Sequence, residues 1–348
     1  MARTYNKGEW SEIYVFLQSL ADGYFNIKDA SLINSLGHFK INCLLRNSYS
    51  DLSEKSFYPS KIDSSEFNRI SKLLFNIITN SNETTFAIDD IELFAQKHDF
   101  SLTKASSFSK SDLSGKVYDN SGNITPLLSY SIKSNIKASA TLLNASSHTN
   151  FRYQVKGLNE DQVKQVNKIQ TRTKLQDRLS LIHSLGGRIA FKKVDSDAFK
   201  NNLLMIDSNL DKVLANALLL FYVHKEGRIV NLIKLLAKSN PLNIDSSSYP
   251  IYENIVQRFL SRIVFNFMPS KEPLSLGNKQ PFAGILVVNR QGDISLLDNL
   301  YNQEQLNTYL FNNLKLESPS SSRYHMLELT KTPHDTYEFT LNLQIRFI

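Results

Sequence analysis

Apolar residues recur at two different spacings along this 348-residue chain, and that mixture limits the fold more than any single motif. Trp10, Ile13, Tyr14, Phe16 and Leu17 fall on helical spacing over Asn6–Leu20, and Asp22-Gly23 supplies a stop. Phe67, Ile70, Leu73, Leu74 and Ile77 repeat the pattern over Glu66–Thr79. Leu127 to Lys133 instead alternates at period two, as a strand with one buried face does. A chain that uses both periods folds as a mixture of helices and sheet, so an α/β class is expected.

The same reading extends along the chain. A short helix is expected over Asp89–His98 and short strands over Ile41–Leu45 and Phe151–Val155. Asn159 with Gln162 resembles a capping box that opens one long helix to about Ser184, closed by Gly186-Gly187. Arg188–Val194 reads as a strand, and helices dominate from Asp197 to Phe267 with breaks near Gly227 and at Asn240-Pro241. Met268–Pro281 is a connector, and the remainder is β-rich apart from a helix near Gln303–Phe311. These textures divide the chain into 1–200, a core with an N-terminal helical part; 201–270, helical; and 271–348, β-rich.

Composition narrows the function classes. A hydrophobic fraction of 41% is enough for a buried core and excludes a wholly disordered chain. The single cysteine, Cys43, excludes an internal disulfide and a CxxC zinc site, and fits a reducing, cytoplasmic setting. The longest apolar run, Leu214–Val223, is too short to span a bilayer, so no membrane role is expected. The phosphate loop, dinucleotide fingerprint, HExxH and GxSxG signatures are all missing.

Charge is distributed unevenly. The formal net charge is +7, but residues 1–100 carry −3, residues 101–200 carry +9 and residues 201–348 carry +1. An excess gathered in one stretch suits a polyanion partner; a solvated face of Lys-rich helices is the other reading. Lys164, Lys168, Arg172, Lys174 and Arg178 lie along the expected long helix, where they either track a backbone or face solvent.

The chemistry-bearing feature sits in that basic stretch. Lys110–Tyr118, the turn residues Asp119-Asn120-Ser121-Gly122-Asn123 and Thr125–Ser134 read as a β-hairpin. Asp112 lies near the start of the first arm. Ser131 and Lys133 are two apart on the second and so share a face. An Asp on one strand and [DE]-x-Lys on the next is the active-site pattern of the PD-(D/E)XK nucleases. There, acidic ligands hold Mg²⁺, and a lysine orients water and offsets charge. An Asp and a Lys on a hairpin also occur in strands with no catalytic role.

Longer blocks carry more weight. Asn6-Lys7-Gly8-Glu9-Trp10-Ser11-Glu12, Ser129-Tyr130-Ser131-Ile132-Lys133-Ser134, Thr141-Leu142-Leu143-Asn144-Ala145-Ser146 and Thr149-Asn150-Phe151 resemble the HpaII-like restriction endonucleases. So do Gly284-Ile285-Leu286-Val287-Val288, Glu317-Ser318-Pro319-Ser320, Arg323 with His325, and Leu341-Asn342-Leu343-Gln344-Ile345-Arg346-Phe347. The blocks occur in order from residue 6 to residue 347.

That resemblance implies an α/β fold with a restriction-endonuclease-like PD-(D/E)XK core. The core is a mixed central sheet flanked by helices, with helical and C-terminal β-rich additions, the latter a candidate DNA-recognition part. It implies a type II restriction endonuclease that uses Mg²⁺ to hydrolyse duplex DNA at a short palindrome. CCGG is the site of the family's namesake, and the ends left are 5′-phosphate and 3′-hydroxyl. A homodimer would match the palindrome, and a cognate DNA methyltransferase is the implied genetic partner. By the same resemblance Asp112 is the metal-binding aspartate, Lys133 the catalytic lysine, and Glu12 an acidic helper from the first helix.

Ser131 departs from the pattern, because it stands where a carboxylate is usual. Glu9, Glu12 and Asp119 are the three candidates to replace that carboxylate. The serine also keeps open a DNA-binding protein with a decayed nuclease core, beside a repair or nicking nuclease of the same fold. For DNA contact the candidates are Asn144, Ser146, Asn150 and Arg323; for each, an ordinary turn or surface role is the alternative.

Overall fold

The computed structural model describes residues 4–46, 56–102, 111–137, 139–244, 250–265, 269–270, 281–321, 323–333 and 336–348. Lys110, at the expected start of the hairpin, and most of the expected connector Met268–Pro281 lie outside the described residues.

In chain order the elements begin with β1 (Tyr5–Asn6), α1 (Lys7–Asp22), β2 (Tyr24–Lys28), β3 (Ser35–Arg46), α2 (Ser64–Asn80), β4 (Thr85–Phe86) and α3 (Asp89–His98). The hairpin arms follow as β5 (Leu113–Val117) and β6 (Leu128–Ser134). Next come β7 (Thr141–Leu143), β8 (Asn150–Lys156), α4 (Glu160–Lys168), α5 (Lys174–Ser184), β9 (Arg188–Val194), α6 (Asp197–Leu204), α7 (Leu210–His224), α8 (Ile229–Ser239) and α9 (Ile251–Phe265). The chain ends with β10 (Phe282–Val288), β11 (Ile294–Asp298), α10 (Gln303–Asn313), β12 (Leu314–Leu316), β13 (Thr330–Lys331), β14 (Tyr337–Asn342) and β15 (Ile345–Phe347).

Two compact units result. One joins residues 1–140 with 276–309, and the other joins 141–275 with 310–348. This differs from the division at 200 and 270 drawn from sequence texture, because β10 and β11 return to pair with strands laid down early in the chain.

The first unit is built on a mixed six-stranded sheet in the order β10-β11-β2-β3-β5-β6, which closes through parallel pairing of β6 with β10. The mixed sheet was expected; its closure was not. Pairings β11–β2 and β6–β10 are parallel, and the others are antiparallel. Gly115 permits part of this. A Cβ there would stand 2.5 Å from a Leu44 methyl and 2.7 Å from the Cys43 carbonyl oxygen, so a side chain would push β5 off β3. Gly284 does the same on β10. Its φ of +154° disfavours any side chain, and an added Cβ would fall 2.2 Å from the Leu297 carbonyl oxygen.

Helix α1 begins at a capping box. The Asn6 side chain accepts from the Glu9 N–H at 3.0 Å, and Glu9 Oε2 accepts from the Asn6 N–H at 2.9 Å. It ends at Gly23 in the left-handed region, as Asp22-Gly23 indicated. Trp10, Ile13, Val15, Phe16, Leu17 and Leu20 are all fully buried, so α1 is a core helix packed against both α2 and the sheet. Its periodicity marked one face; the second face is covered because α2 lies along it.

The second unit holds two sheets, β12-β15-β7 and β13-β14-β8-β9, with helices α4 to α9. The expected single helix from 159 to 184 is two helices. The capping box at Asn159 and Gln162 is present, yet α4 stops at Lys168. The reason is Arg178, which donates to the carbonyls of Asn167 and Ile169 at 2.9 and 3.0 Å, acceptors that a continuous helix needs four residues on. Thr171 and Thr173 turn their hydroxyls to Asp177 and complete the break. Among the described residues, no helix is long and apolar enough to cross a membrane.

Candidate active site

The hairpin brings three of the expected residues together. β5 and β6 pair antiparallel in the register Leu113↔Tyr130, Ser114↔Ser129 and Gly115↔Leu128. Asp112 stands just before β5, and its N–H donates to the Tyr130 carbonyl at 3.0 Å, which extends the ladder by one residue. Tyr130 itself is fully buried against Phe25, with ring centroids 4.9 Å apart. Burial raises its hydroxyl pKa, and the buried Asp298 carboxylate adds to the shift.

Asp112 Oδ2 accepts from the Ile132 N–H at 2.7 Å and from Ser131 Oγ at 3.1 Å. Ser131 Oγ in turn accepts from Lys133 Nζ at 2.7 Å. A continuous chain therefore runs from ammonium to hydroxyl to carboxylate. Lys133 also donates to the Ile132 carbonyl at 3.2 Å. Asp112 Oδ1 accepts no hydrogen bond among the described residues. Ser131 is 2% exposed, whereas Asp112 and Lys133 are half-buried, so the pair at the ends of the chain reaches the surface. The alternation of β6 predicted the shared face of Ser131 and Lys133. The Ile132 N–H, which fixes the Asp112 carboxylate, has no signature in the sequence.

The three candidate helper carboxylates fare differently. Glu9 is committed to the cap of α1. Asp119 accepts from the N–H groups of Ser121 and Asn123, both at 2.8 Å, in the hairpin turn. Seven residues along an extended arm set it about 23 Å from Asp112. Glu12 is half-buried on α1, a helix that packs on β6. Among the described residues, no group of three or more His, Cys, Asp or Glu side chains gathers as a metal site.

The candidate DNA contacts all fall in the second unit. Asn342, fully buried at the end of β14, donates to the Ser146 carbonyl at 2.6 Å and to Asn150 Oδ1 at 2.7 Å, and accepts from Thr149 at 3.2 Å. Ser146 also caps the short turn Ser147–Thr149. Ser146 and Asn150 thus serve a hydrogen-bonded turn, through a partner about 190 residues away that sequence reading missed. Asn144 and Arg323 are exposed. The Tyr324 hydroxyl donates to the Ala145 carbonyl at 3.0 Å and the Arg323 guanidinium lies 5.6 Å from the Tyr324 ring centroid, so these two candidates share one corner.

The expected row of basic residues on one long helix is not present. Arg178 is 4% exposed, and burial lowers its pKa. Lys164 is exposed and pairs with Glu160 at 3.0 Å.

The Asp–Ser–Lys hydrogen-bond chain thus lies on one hairpin of a mixed α/β chain with a basic middle. Comparison with known proteins identifies the family. The family model for the HpaII restriction endonuclease matches residues 6–347, and the chain belongs to that family. It is 34% identical to the type II restriction enzyme HpaII of Haemophilus parainfluenzae, over 99% of this chain and 98% of that protein. The protein is therefore a type II restriction endonuclease, a site-specific deoxyribonuclease whose substrate is DNA. Enzymes of this kind generally use a divalent metal ion. No solved structure matches the chain.

Proposed function

We propose that the protein cleaves both strands of duplex DNA at a short palindrome through a PD-(D/E)XK-type centre built on Asp112, Ser131 and Lys133. The observation that carries this reading is the unbroken hydrogen-bond chain from Lys133 through Ser131 to Asp112. A decayed centre has no reason to keep a buried serine aligned between a lysine and a carboxylate.

The carboxylate offers an oxygen to a hard cation: Asp112 Oδ1 accepts no hydrogen bond among the described residues, while Oδ2 is held by Ser131 Oγ and the Ile132 N–H. Mg²⁺ accepts one or two carboxylates and keeps several waters, so in this reading Asp112 would hold one ion, with Glu12 of α1 as the helper carboxylate. A divalent ion held there would supply Lewis acidity toward the scissile phosphate. The Ile132 N–H holds the Asp112 carboxylate in one rotamer before substrate arrives. The Lys133 ammonium orients the attacking water and offsets the charge that grows on the phosphate oxygens. Ser131 is the coupler: it accepts from the lysine and donates onward, which fixes the lysine without adding a charge.

In this reading the products carry 5′-phosphate and 3′-hydroxyl ends. A palindrome such as CCGG, the site borrowed from the family's namesake, is read by a homodimer, and a DNA methyltransferase protects the host. Asn144 and Arg323 contact DNA from the second unit. The test is digestion of plasmid DNA with Mg²⁺, followed by mapping of the ends. Discrete fragments ending at one palindrome are expected. Cutting with other divalent ions but never with Mg²⁺, or a 3′-phosphate at the ends, would overturn the proposed chemistry.

A further inference from the structure

The ribbon β8–β9 in the second unit carries a charge pattern that the active-site hairpin does not explain. Its register pairs Arg152 with Lys193, Gln154 with Ala190, and Lys156 with Arg188. Residues directly opposite in an antiparallel pair share a face. The alternate positions pair Phe151 with Val194, Tyr153 with Phe191 and Val155 with Ile189, and give the buried side. One face is therefore apolar and inside, and the other presents two like-charged pairs, one near each end.

Like charges directly opposite in a sheet are unfavourable. One member is neutralised within the fold: Arg152 forms a two-pronged pair with Asp195, at 2.7 and 2.8 Å. Lys192, displaced by a bulge, pairs with Glu338. Lys156, Arg188 and Lys193 are exposed and have no counter-ion among the described residues. The fold thus keeps three cations on one ribbon face, two of them opposed, where a single acidic substitution would relieve the repulsion.

We infer that the outer face of β8–β9 is a docking surface for the phosphate backbone of duplex DNA. Charge complementarity selects the occupant. A polyanion placed between Lys156 and Arg188 turns a repulsive pair into two attractions. The dimensions agree, since the charged pairs are four residues apart along the ribbon, about 13 Å. β8 is also paired with β14, so this face lies against the duplex as part of a four-stranded sheet; the major groove is about 12 Å wide, so charges about 13 Å apart meet phosphates on its two banks. The inference rests on the nuclease reading above and adds where the backbone is held.

The experiment compares wild type, Lys156→Gln/Arg188→Gln/Lys193→Gln and Lys156→Glu. Duplex affinity is measured without metal across a salt series, beside thermal unfolding and Mg²⁺-dependent cleavage. The triple variant is expected to lower the slope of log affinity against log salt by about 2 to 3. Lys156→Glu is expected to raise the unfolding midpoint, by facing Arg188, while weakening DNA binding. A raised midpoint with unchanged affinity, or an unchanged slope in the triple variant while wild type still cuts DNA, overturns this surface alone. A wild-type chain that neither binds nor cuts duplex DNA overturns the nuclease reading and this surface with it.

Discussion

The β5–β6 hairpin and the segment Thr141–Asn150 are both short, polar and close in sequence, yet they use their polar groups in opposite ways. In the hairpin, Lys133, Ser131 and Asp112 form a line that ends at Asp112 Oδ2, and the other oxygen of that carboxylate, Oδ1, accepts no hydrogen bond among the described residues. In the other segment, Ser146, Thr149 and Asn150 are drawn inward by the buried Asn342 and spend their capacity on the fold. Polar residues on paired strands are aimed by the pleat. Those in a turn are aimed by whatever partner the rest of the chain brings.

This contrast is open to direct attack. The largest effect is expected from Lys133→Ala, a cleavage loss on the order of 10²–10⁴-fold. Duplex affinity should change far less, and single-turnover cleavage beside a gel-shift titration would show it. Intact cutting would mean the hairpin is not the catalytic side of the comparison. Asn342→Ala should instead act on stability, costing about 2–3 kcal/mol because it leaves buried partners unsatisfied. A denaturant midpoint that does not move would show that the turn is free to read DNA. The smallest effect is expected from Glu9→Gln. Losing the charge at the α1 cap costs about 0.5–1 kcal/mol. Cleavage should persist in that variant and be lost in Glu12→Gln, and the reverse result in the two cleavage assays would exchange their roles.

Much of the first unit was legible because its signals are local. The stop of α1, the bounds of α3 and the shared face of Ser131 and Lys133 follow from spacing and turn chemistry within a few residues. The bounds of β9 in the second unit were legible on the same grounds. The break between α4 and α5 was not legible. Arg178 causes it, by taking the Asn167 and Ile169 carbonyls, and also donates to the Leu327 carbonyl at 3.0 Å. An arginine on helical spacing reads as a surface cation until a distant loop buries it. The division into units was hidden for the same reason: β10 pairs with β6 although about 150 residues separate them.

By itself, the sequence determined a mixed α/β chain, a basic middle, a hairpin bearing Asp112, Ser131 and Lys133, and a resemblance that runs from end to end. These rest on periodicity, local turn chemistry and residue order, none of which needs a distant partner. Tertiary structure decided that the sheet closes on itself, that Asp112 is fixed by the Ile132 N–H, and that Ser146 and Asn150 serve a turn. It also set Lys156 against Arg188. Each of those depends on which strand or side chain arrives as neighbour, and neighbours far apart in the chain are chosen by packing and register across the whole fold.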